Sequence, residues 1–312
     1  MTDKLITVAL VQASPVYNDL PASLEKAVAL VGEAAKTGAR LVAFGECWLA
    51  GYPAWLDHCG NAALWNHEPT KRVYALMRRN SLVVGSPETE MLARAARENK
   101  VTLVVGANER VEKGIGSGTL YNALLTFDET GKLVNHHRKL IPTYTERLVQ
   151  GQGDADGLQA ADTAAGRVGG LVCWEHWMPL ARQAMHNQGE QIHVALFPTV
   201  HEMHQIASRQ YAFEGRCYVL AVGLTMAEKD LPEELREESK IDANQFVLRG
   251  GSCVVAPDGK YVLEPVFDRE EILTAELDSS MIDEEKMTLD VSGHYSRPDV
   301  FDFSVNQNRR AK

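Results

Sequence analysis

The 312-residue sequence lacks the features of several large classes of protein. It has no apolar run near the ~20 residues needed to cross a bilayer, and its first residues, MTDKLITVALVQ, do not read as a secretory signal peptide. Basic residues are outnumbered by acidic ones, and the formal net charge of −10 argues against a surface that binds nucleic acid or an acidic membrane. We therefore expect a soluble protein with no nucleic-acid partner and no membrane partner.

Cysteine is also scarce, and its five copies are scattered at positions 47, 59, 173, 217 and 253. The odd number and the lack of any C-x-x-C pair favour reduced thiols in the cytoplasm over a disulfide framework or a zinc site. No phosphate-binding or dinucleotide-binding glycine motif occurs between a strand and a helix. His201 and His204 are three residues apart, so they do not form H-E-x-x-H. We expect a cytoplasmic protein that needs neither a metal nor an organic cofactor.

Hydrophobic patterning predicts strands that alternate with helices and hairpins. Apolar strands at 5–12 and 40–45 flank a helix at 20–36, and strands at 192–197 and 218–225 flank a helix at 204–216. No linker divides the chain, so we expect one domain over residues 1–312. The economical architecture for this pattern has two layers of strand covered by helices on both outer faces.

The stretch 169–180, GGLVCWEHWMPL, carries the strongest candidate nucleophile. Cys173 ends an apolar strand, and Pro179 suits the first turn of a following helix. A cysteine on such a turn is fixed in place, and nearby backbone N–H groups can activate it and stabilise an oxyanion. The alternative is a buried structural cysteine, which is the commoner case for any one cysteine.

Three other charged residues can supply the groups that a cysteine nucleophile needs. Glu46 follows the second strand among apolar neighbours, where a carboxylate should have a raised pKa and can act as a general base. Lys139 ends a hairpin strand and can stabilise a developing anion, and Glu146 can orient that lysine. Strand-end charges are more often simply solvated, so the prediction depends on the coincidence of acid, base and thiol at three strand ends.

The histidines offer a rival arrangement, in which a Cys–His pair performs the catalysis. His136, His137, His176 or His294 would then have to lie near Cys173. His176 is close in sequence, but we favour a packing role for it over that of a base.

At the segments FGECWLAGYP, HRKLIPTYTER and GGLVCWEHWMPL the chain resembles the nitrilase branch of the carbon–nitrogen hydrolase superfamily. These segments contain Glu46, Lys139 and Cys173 in the order and spacing of that family. GQGD at 151–154 and GHYSRPDVF at 293–301 point the same way. The resemblance runs from about residue 6 to residue 301.

The resemblance implies a four-layer α-β-β-α sandwich, a Glu46–Lys139–Cys173 triad and Glu146 as a supporting carboxylate. It also implies a homodimer or a longer helical (spiral) oligomer, with insertions at about 51–87 and 227–244 making extended contacts and a short tail from about 293. The implied reaction converts an organic nitrile to a carboxylic acid and ammonia through a cysteine-bound thioimidate and thioester. The candidate substrate contacts are Trp174, Tyr52, His176, Trp177 and Tyr144, and Trp48 and Trp55 are further aromatics near the site in sequence.

Three alternatives stay open at this point. An amidase or N-carbamoyl hydrolase would use the same triad on a substrate already at the amide level. A hydrating enzyme would release the thiol instead of ammonia and stop at the amide. A protein that had lost the chemistry and kept the fold would serve only in assembly.

Overall fold

The computed structural model describes residues 5–239, 241–242 and 245–308. Two expectations fall partly outside these residues. The expected domain extends over residues 1–4 and 309–312, which are not described, and the expected insertion at 227–244 contains residues 240, 243 and 244, which are not described either. Among the residues described, no helix is both long enough and apolar enough to cross a bilayer.

The described strands are β1 (Leu5–Gln12), β2 (Leu41–Phe44), β3 (Thr102–Arg110), β4 (Leu120–Phe127), β5 (Leu133–Arg138), β6 (Ala161–Thr163), β7 (Gly166–Val172), β8 (Ile192–Leu196), β9 (Tyr218–Val222), β10 (Thr225–Ala227), β11 (Phe246–Val255), β12 (Tyr261–Phe267) and β13 (Glu271–Asp278). The described α-helices are α1 (Leu20–Lys36), α2 (Trp55–His58), α3 (Glu68–Arg79), α4 (Pro87–Asn99), α5 (Pro179–His186), α6 (Glu202–Gly215), α7 (Glu233–Arg236) and α8 (Ser280–Lys286). Short 3₁₀ helices cover Tyr144–Leu148, Cys173–Trp177 and Glu228–Asp230.

Two mixed sheets form the centre of the fold. The first has the strand order β13-β1-β2-β3-β4-β5, and β1, β2 and β3 run parallel. The second has the order β10-β11-β9-β8-β7-β6, with β12 paired to β11 and with β7, β8 and β9 parallel. Mixed sheets of this kind follow from a chain in which helical crossovers alternate with hairpins.

Alternation along β1 shows how the layers are stacked. Val8 and Leu10 belong to the apolar core that contains the second sheet, whereas Ala9 and Val11 belong to the core that contains α1 and α4. Successive side chains of a strand point to opposite faces, so the first sheet is covered on both sides. Helices α5 and α6 contribute to the core around the second sheet. The architecture is the four-layer α-β-β-α sandwich that the sequence resemblance implied.

The predicted strand at 218–225 is wrong in one respect, because the structure divides it into β9 and β10. Gly223 lies between them, and a Cβ at that position would be 2.2 Å from the carbonyl oxygen of Gly250. The close approach of the two backbones requires glycine and interrupts the regular strand. The expected insertion at about 51–87 contains α2 and α3, and the tail from 293 has no helix or strand among its described residues.

Candidate active site

The chemistry-bearing side chains follow three strand ends. Glu46 follows β2, Lys139 follows β5 and Cys173 follows β7. β5 is antiparallel to β4, which is antiparallel to β3, so β5 runs in the same direction as β2 and ends at the same edge. The structure therefore brings Glu46 and Lys139 to one edge of the first sheet.

The Glu46 loop is held against β3 by close backbone packing. A Cβ added to Gly106 would lie 2.2 Å from the carbonyl oxygen of Gly45 and 2.7 Å from the amide nitrogen of Cys47. Cys47 takes the left-handed conformation, with φ +50°, and Leu49 then pairs with Ala107 as an isolated bridge. The backbone before and after Glu46 is thus held in place by contacts with β3.

Lys139 lies between two buried carboxylates. Its Nζ donates to Glu46 Oε1 at 2.8 Å and to Glu146 Oε2 at 2.7 Å. Asn122 donates to the same Glu46 oxygen at 2.7 Å, and the Tyr52 hydroxyl donates to Glu146 Oε1 at 2.8 Å. Oε2 of Glu46 is buried and accepts no hydrogen bond from any described residue. That oxygen is therefore available to take a proton.

Cys173 is held in a strained turn at the start of a 3₁₀ helix. Its φ is +51°, a left-handed conformation that is uncommon outside glycine, asparagine and aspartate. Such strain is maintained only when the surrounding structure enforces it, and it is frequent at functional sites. The side chain is only 3% exposed. The structure thus supports a thiol fixed in one orientation, as the sequence predicted for a strand-to-helix turn.

Burial controls the protonation of the cluster. Burial raises the pKa of Glu46 to about 7, against the opposing effect of the Lys139 charge. Burial alone would lower the pKa of Lys139, but Glu46 and Glu146 hold it well above its usual value, so the amine stays charged. Burial and the neighbouring Glu46 carboxylate also raise the pKa of the Cys173 thiol. The thiol is therefore protonated at rest, and Glu46 is adjacent to receive its proton.

The Glu175 carboxylate joins the lysine strand to the cysteine turn. It accepts from the Leu140 amide at 2.8 Å, from the Val172 amide at 2.7 Å and from His137 Nε2 at 2.9 Å. Glu175 is 1% exposed, so the carboxylate that makes these contacts is buried. One buried carboxylate thus sets the position of Lys139 relative to Cys173.

The structure corrects the assignment of His176 as a substrate contact. Its Nδ1 lies 2.7 Å from the Cys173 carbonyl oxygen, and its Nε2 lies 3.0 Å from His193 Nε2. His193 Nδ1 is in turn 2.8 Å from Glu190 Oε2, and the Tyr211 hydroxyl donates a hydrogen bond to Glu190 Oε1. Both ring nitrogens of His176 are engaged beneath Cys173, so neither is left for a substrate.

The aromatic candidates are divided between surface and core. Trp174 is 49% exposed, and its ring centroid lies 5.0 Å from that of the partly buried Trp177. Tyr144 is 80% exposed, which places it on the surface of the single chain. Trp48 and Trp55 are buried in the core that contains α1 and α4, so both contribute to the packing of the fold.

Three residues near the site were missed by sequence reasoning. Asn122 and Glu175 have hydrogen-bonding side chains beside strand ends, but the sequence does not show which strands are neighbours. His204 lies with its Nε2 4.0 Å from Cys173 Sγ. The spacing of His204 from His201 raised only the question of a metal site, although the place of His204 shortly after β8 indicates that it can reach the same edge as Cys173.

Comparison with known proteins gives consistent matches over nearly the whole chain. The profile of the family "Carbon-nitrogen hydrolase" matches residues 7–286. The chain is 40% identical to a protein named "Nitrilase 2" from an unknown prokaryotic organism, covering 98% of this chain and 94% of that protein. It is 38% identical to an "Aliphatic nitrilase" of Sinorhizobium fredii (strain HH103), covering 97% of this chain and 96% of that protein. A carbon–nitrogen hydrolase structure from Helicobacter pylori G27 has a TM-score of 0.68 at 20% identity, covering 95% of this chain and 96% of that one, and shows the same fold.

Proposed function

The chain belongs to the carbon–nitrogen hydrolase family, and on that basis we propose that it is a nitrilase, which converts an organic nitrile and two water molecules to a carboxylic acid and ammonia. The observation that carries this proposal is the identity to named nitrilases over nearly the full length of both chains. The convergence of Glu46, Lys139 and Glu146 supports it, since these buried groups are in hydrogen-bond contact beside the Cys173 thiol.

The first step is attack of sulphur on the nitrile carbon. Glu46 takes the thiol proton of Cys173 and passes it to the nitrile nitrogen, so the C–S bond forms as one C–N π bond is lost. The product is a thioimidate, R–C(=NH)–S. Lys139 keeps the Glu46 carboxylate in place and supplies positive charge beside the reacting atoms.

Hydrolysis of the thioimidate requires two water molecules. The first adds to the carbon while Glu46 moves one of its protons to nitrogen, which gives R–C(OH)(NH₂)–S. Charge that develops on its oxygen is stabilised by Lys139 and by the backbone N–H of Trp174. Glu46 then moves the hydroxyl proton to nitrogen, so the C–N bond breaks as the C=O bond forms; ammonia leaves, and a thioester remains. The second water then releases the acid and restores the thiol of Cys173.

The test is release of ammonia, acid and amide from a panel of aromatic and aliphatic nitriles and from the matching amides. We expect Cys173→Ala to lose at least about 10⁴-fold in turnover, because it removes the nucleophile. We expect Glu46→Gln and Lys139→Ala to lose at least about 10²-fold. Cys59→Ala is the matched control, because Cys59 is equally buried at 3% exposure but lies in the other core.

Each outcome has a distinct meaning. Acid and ammonia from nitriles, absent in Cys173→Ala and retained in Cys59→Ala, would support the proposal. Activity on amides alone would assign the same triad to an amidase. Full activity in Cys173→Ala would refute the nucleophile, and no turnover of any substrate would favour a role in assembly.

We propose further that aromatic side chains form the substrate contacts. The rings of Trp174 and Trp177 contact each other at a tilt of 40° near the thiol turn, and the Tyr52 hydroxyl donates to Glu146. Tyr144 would have to contribute from the exposed rim. A pocket of this kind would accept aromatic and long apolar nitriles, and comparison of KM across the nitrile panel for Trp177→Ala and the wild type tests this assignment.

We also propose that the protein is a cytoplasmic homodimer or a longer helical oligomer. Apolar side chains of α5 and α6 are exposed in the single chain, among them Leu180 and Ile206. Exposed apolar surface of this extent favours association. All five cysteines are unpaired thiols, which suits a reducing compartment. Light scattering and electron microscopy of the purified protein would test the assembly.

A further inference from the structure

His204 brings a ring nitrogen to the sulphur atom of Cys173. It lies in the first turn of α6, is 5% exposed, and has its Nε2 4.0 Å from Cys173 Sγ. The ring is fixed by its neighbours, since its centroid lies 4.7 Å from that of Phe197 and 5.3 Å from that of Trp177. The roles proposed above for Glu46, Lys139 and Glu146 do not use this nitrogen.

The hydrogen bond on the other side of the ring fixes its tautomer. Nδ1 of His204 lies 3.1 Å from the backbone nitrogen of His201, which can only donate. Nδ1 must therefore be an acceptor without a proton. Burial, together with the His201 and Lys139 charges, lowers the pKa of His204 to about 4, so the ring is neutral at neutral pH. A neutral ring with an unprotonated Nδ1 carries its proton on Nε2, the nitrogen that faces sulphur.

We propose that His204 donates a hydrogen bond from Nε2 to the Cys173 sulphur and stabilises it as a thiolate, both when the sulphur attacks and when it leaves. The contact is long in the unliganded site, as catalytic hydrogen bonds often are before substrate binds. His204 is thereby a donor to the nucleophile and not its base, which leaves proton removal to Glu46.

The leaving step gives this contact a consequence for the products, and this part of the inference rests on the proposed nitrilase function. In the tetrahedral intermediate, protonation of nitrogen breaks the C–N bond and releases ammonia. In the competing path the C–S bond breaks, its electron pair goes to sulphur, and the hydroxyl proton goes to Glu46, which releases the amide. A donor on sulphur lowers the energy of that second path, so His204 raises the share of amide.

The test compares three variants of His204. His204→Phe keeps an aromatic ring against Phe197 and lacks the donor, and His204→Leu lacks the donor with a different shape. His204→Gln places an amide N–H near the position of Nε2. His201→Leu is the matched control, because His201 is exposed and the hydrogen bond it makes to His204 comes from its backbone.

The first readout is the rate at which iodoacetamide alkylates Cys173 at neutral pH, resolved by peptide mass spectrometry. We expect a decrease of about tenfold in His204→Phe and His204→Leu, the lower end for a hydrogen bond to a charged group. His204→Gln should stay within about threefold of the wild type, and His201→Leu should match it. The other four cysteines report unfolding, since all are buried in the native chain.

The second readout is the fraction of amide among the products formed from one nitrile, which does not depend on the amount of active enzyme. It should fall in His204→Phe and be retained in His204→Gln. Equal alkylation rates in the wild type and both donor-free variants would overturn the inference. A wild type that hydrolyses no nitrile would defeat the proposed function instead, and the alkylation rates would still decide whether His204 stabilises the thiolate.

Discussion

Replacement of Lys139 by methionine should destabilise the fold far more than the same replacement of a surface lysine whose ion-pair distance is similar. Nζ lies 2.8 Å and 2.7 Å from oxygens of Glu46 and Glu146, and all three side chains are at most 1% exposed. At these distances each attraction amounts to about 6 kcal/mol at an effective dielectric constant of 20. Desolvation of the three groups offsets much of this, so the net cost of leaving the two carboxylates unpaired is about 3–5 kcal/mol.

The corresponding shift in melting temperature can be estimated from chain length. At about 2.1 cal/mol/K per residue, 312 residues give an unfolding entropy of about 0.66 kcal/mol/K, so a loss of 4 kcal/mol lowers Tm by about 6 °C. Thermal unfolding followed by circular dichroism measures this shift. Lys71→Met is the control, because Lys71 lies 2.7 Å from Glu68 on the exposed surface and should change stability by less than about 1 kcal/mol.

A double variant separates the effect of the unpaired carboxylates on stability from the effect of changed side-chain packing. Lys139→Met/Glu146→Gln removes one of the two orphaned carboxylates, and Glu46, whose pKa is already about 7, can then be buried with a proton. We expect the double variant to regain at least half of the lost Tm and to stay inactive. A Lys139→Met protein that melts within 1 °C of the wild type would refute the reasoning, as would a double variant no more stable than the single one.

Three further predictions follow from the same structure. Because Glu46 is a base only when ionised and burial raises its pKa to about 7, kcat/KM should fall about tenfold per pH unit below 7; a flat profile down to pH 5 would contradict this. Gly106→Ala should lower kcat about 10²-fold, because the added methyl group meets the Glu46 loop, whereas Gly60→Ala has open space and should not. Burial alone would raise the pKa of Glu109, but hydrogen bonds from His136 and Arg138 lower it to about 2, below its ordinary 4.5. The stability that this carboxylate contributes is present above pH 4.5 and lost as pH falls toward 2. Urea unfolding of Glu109→Gln should therefore show a free energy of unfolding about 3 kcal/mol below that of the wild type at pH 7. Between pH 4.5 and 2 the variant should lose less stability than the wild type does.

Local pattern was sufficient for many of the regular elements and for naming the three side chains at strand ends, but not for the division of β9 from β10. β1 and α1 have the predicted bounds, since a continuous apolar run and a 3.6-residue period are properties of the segment itself. Glu46, Lys139 and Cys173 could be named as candidates because each lies within two residues of the end of a strand. The coincidence of acid, base and thiol at three strand ends suggested a shared site, although the sequence did not show that Cys173 follows a strand of the second sheet.

The parts that could not be predicted depend on pairing between distant segments. Glu175 reaches Leu140 because β5 and β7 lie close at this edge, and the sequence does not contain that distance. His176 turns beneath the nucleophile because Cys173 adopts a positive φ, which periodicity cannot show. Trp48 lies in an irregular loop without a period, so its burial in the core and the hydrogen bond from its indole to Ala13 were not visible either.

The buried histidines His176 and His193 polarise the peptide bond between Cys173 and Trp174. A carbonyl oxygen can only accept, so the 2.7 Å contact with Cys173 places a proton on Nδ1 of His176. Burial lowers the pKa of His176 well below its usual value, so the ring is neutral, Nε2 has no proton, and His193 must be the donor across the 3.0 Å contact. The N–H bonds of His193 Nε2 and His176 Nδ1 therefore both point toward Cys173, and Glu190 contacts the far side of the His193 ring. The peptide that accepts at this carbonyl presents the Trp174 N–H at its other end, and hydrogen bonds in series polarise one another, so this donor is strengthened from inside the protein before any substrate arrives.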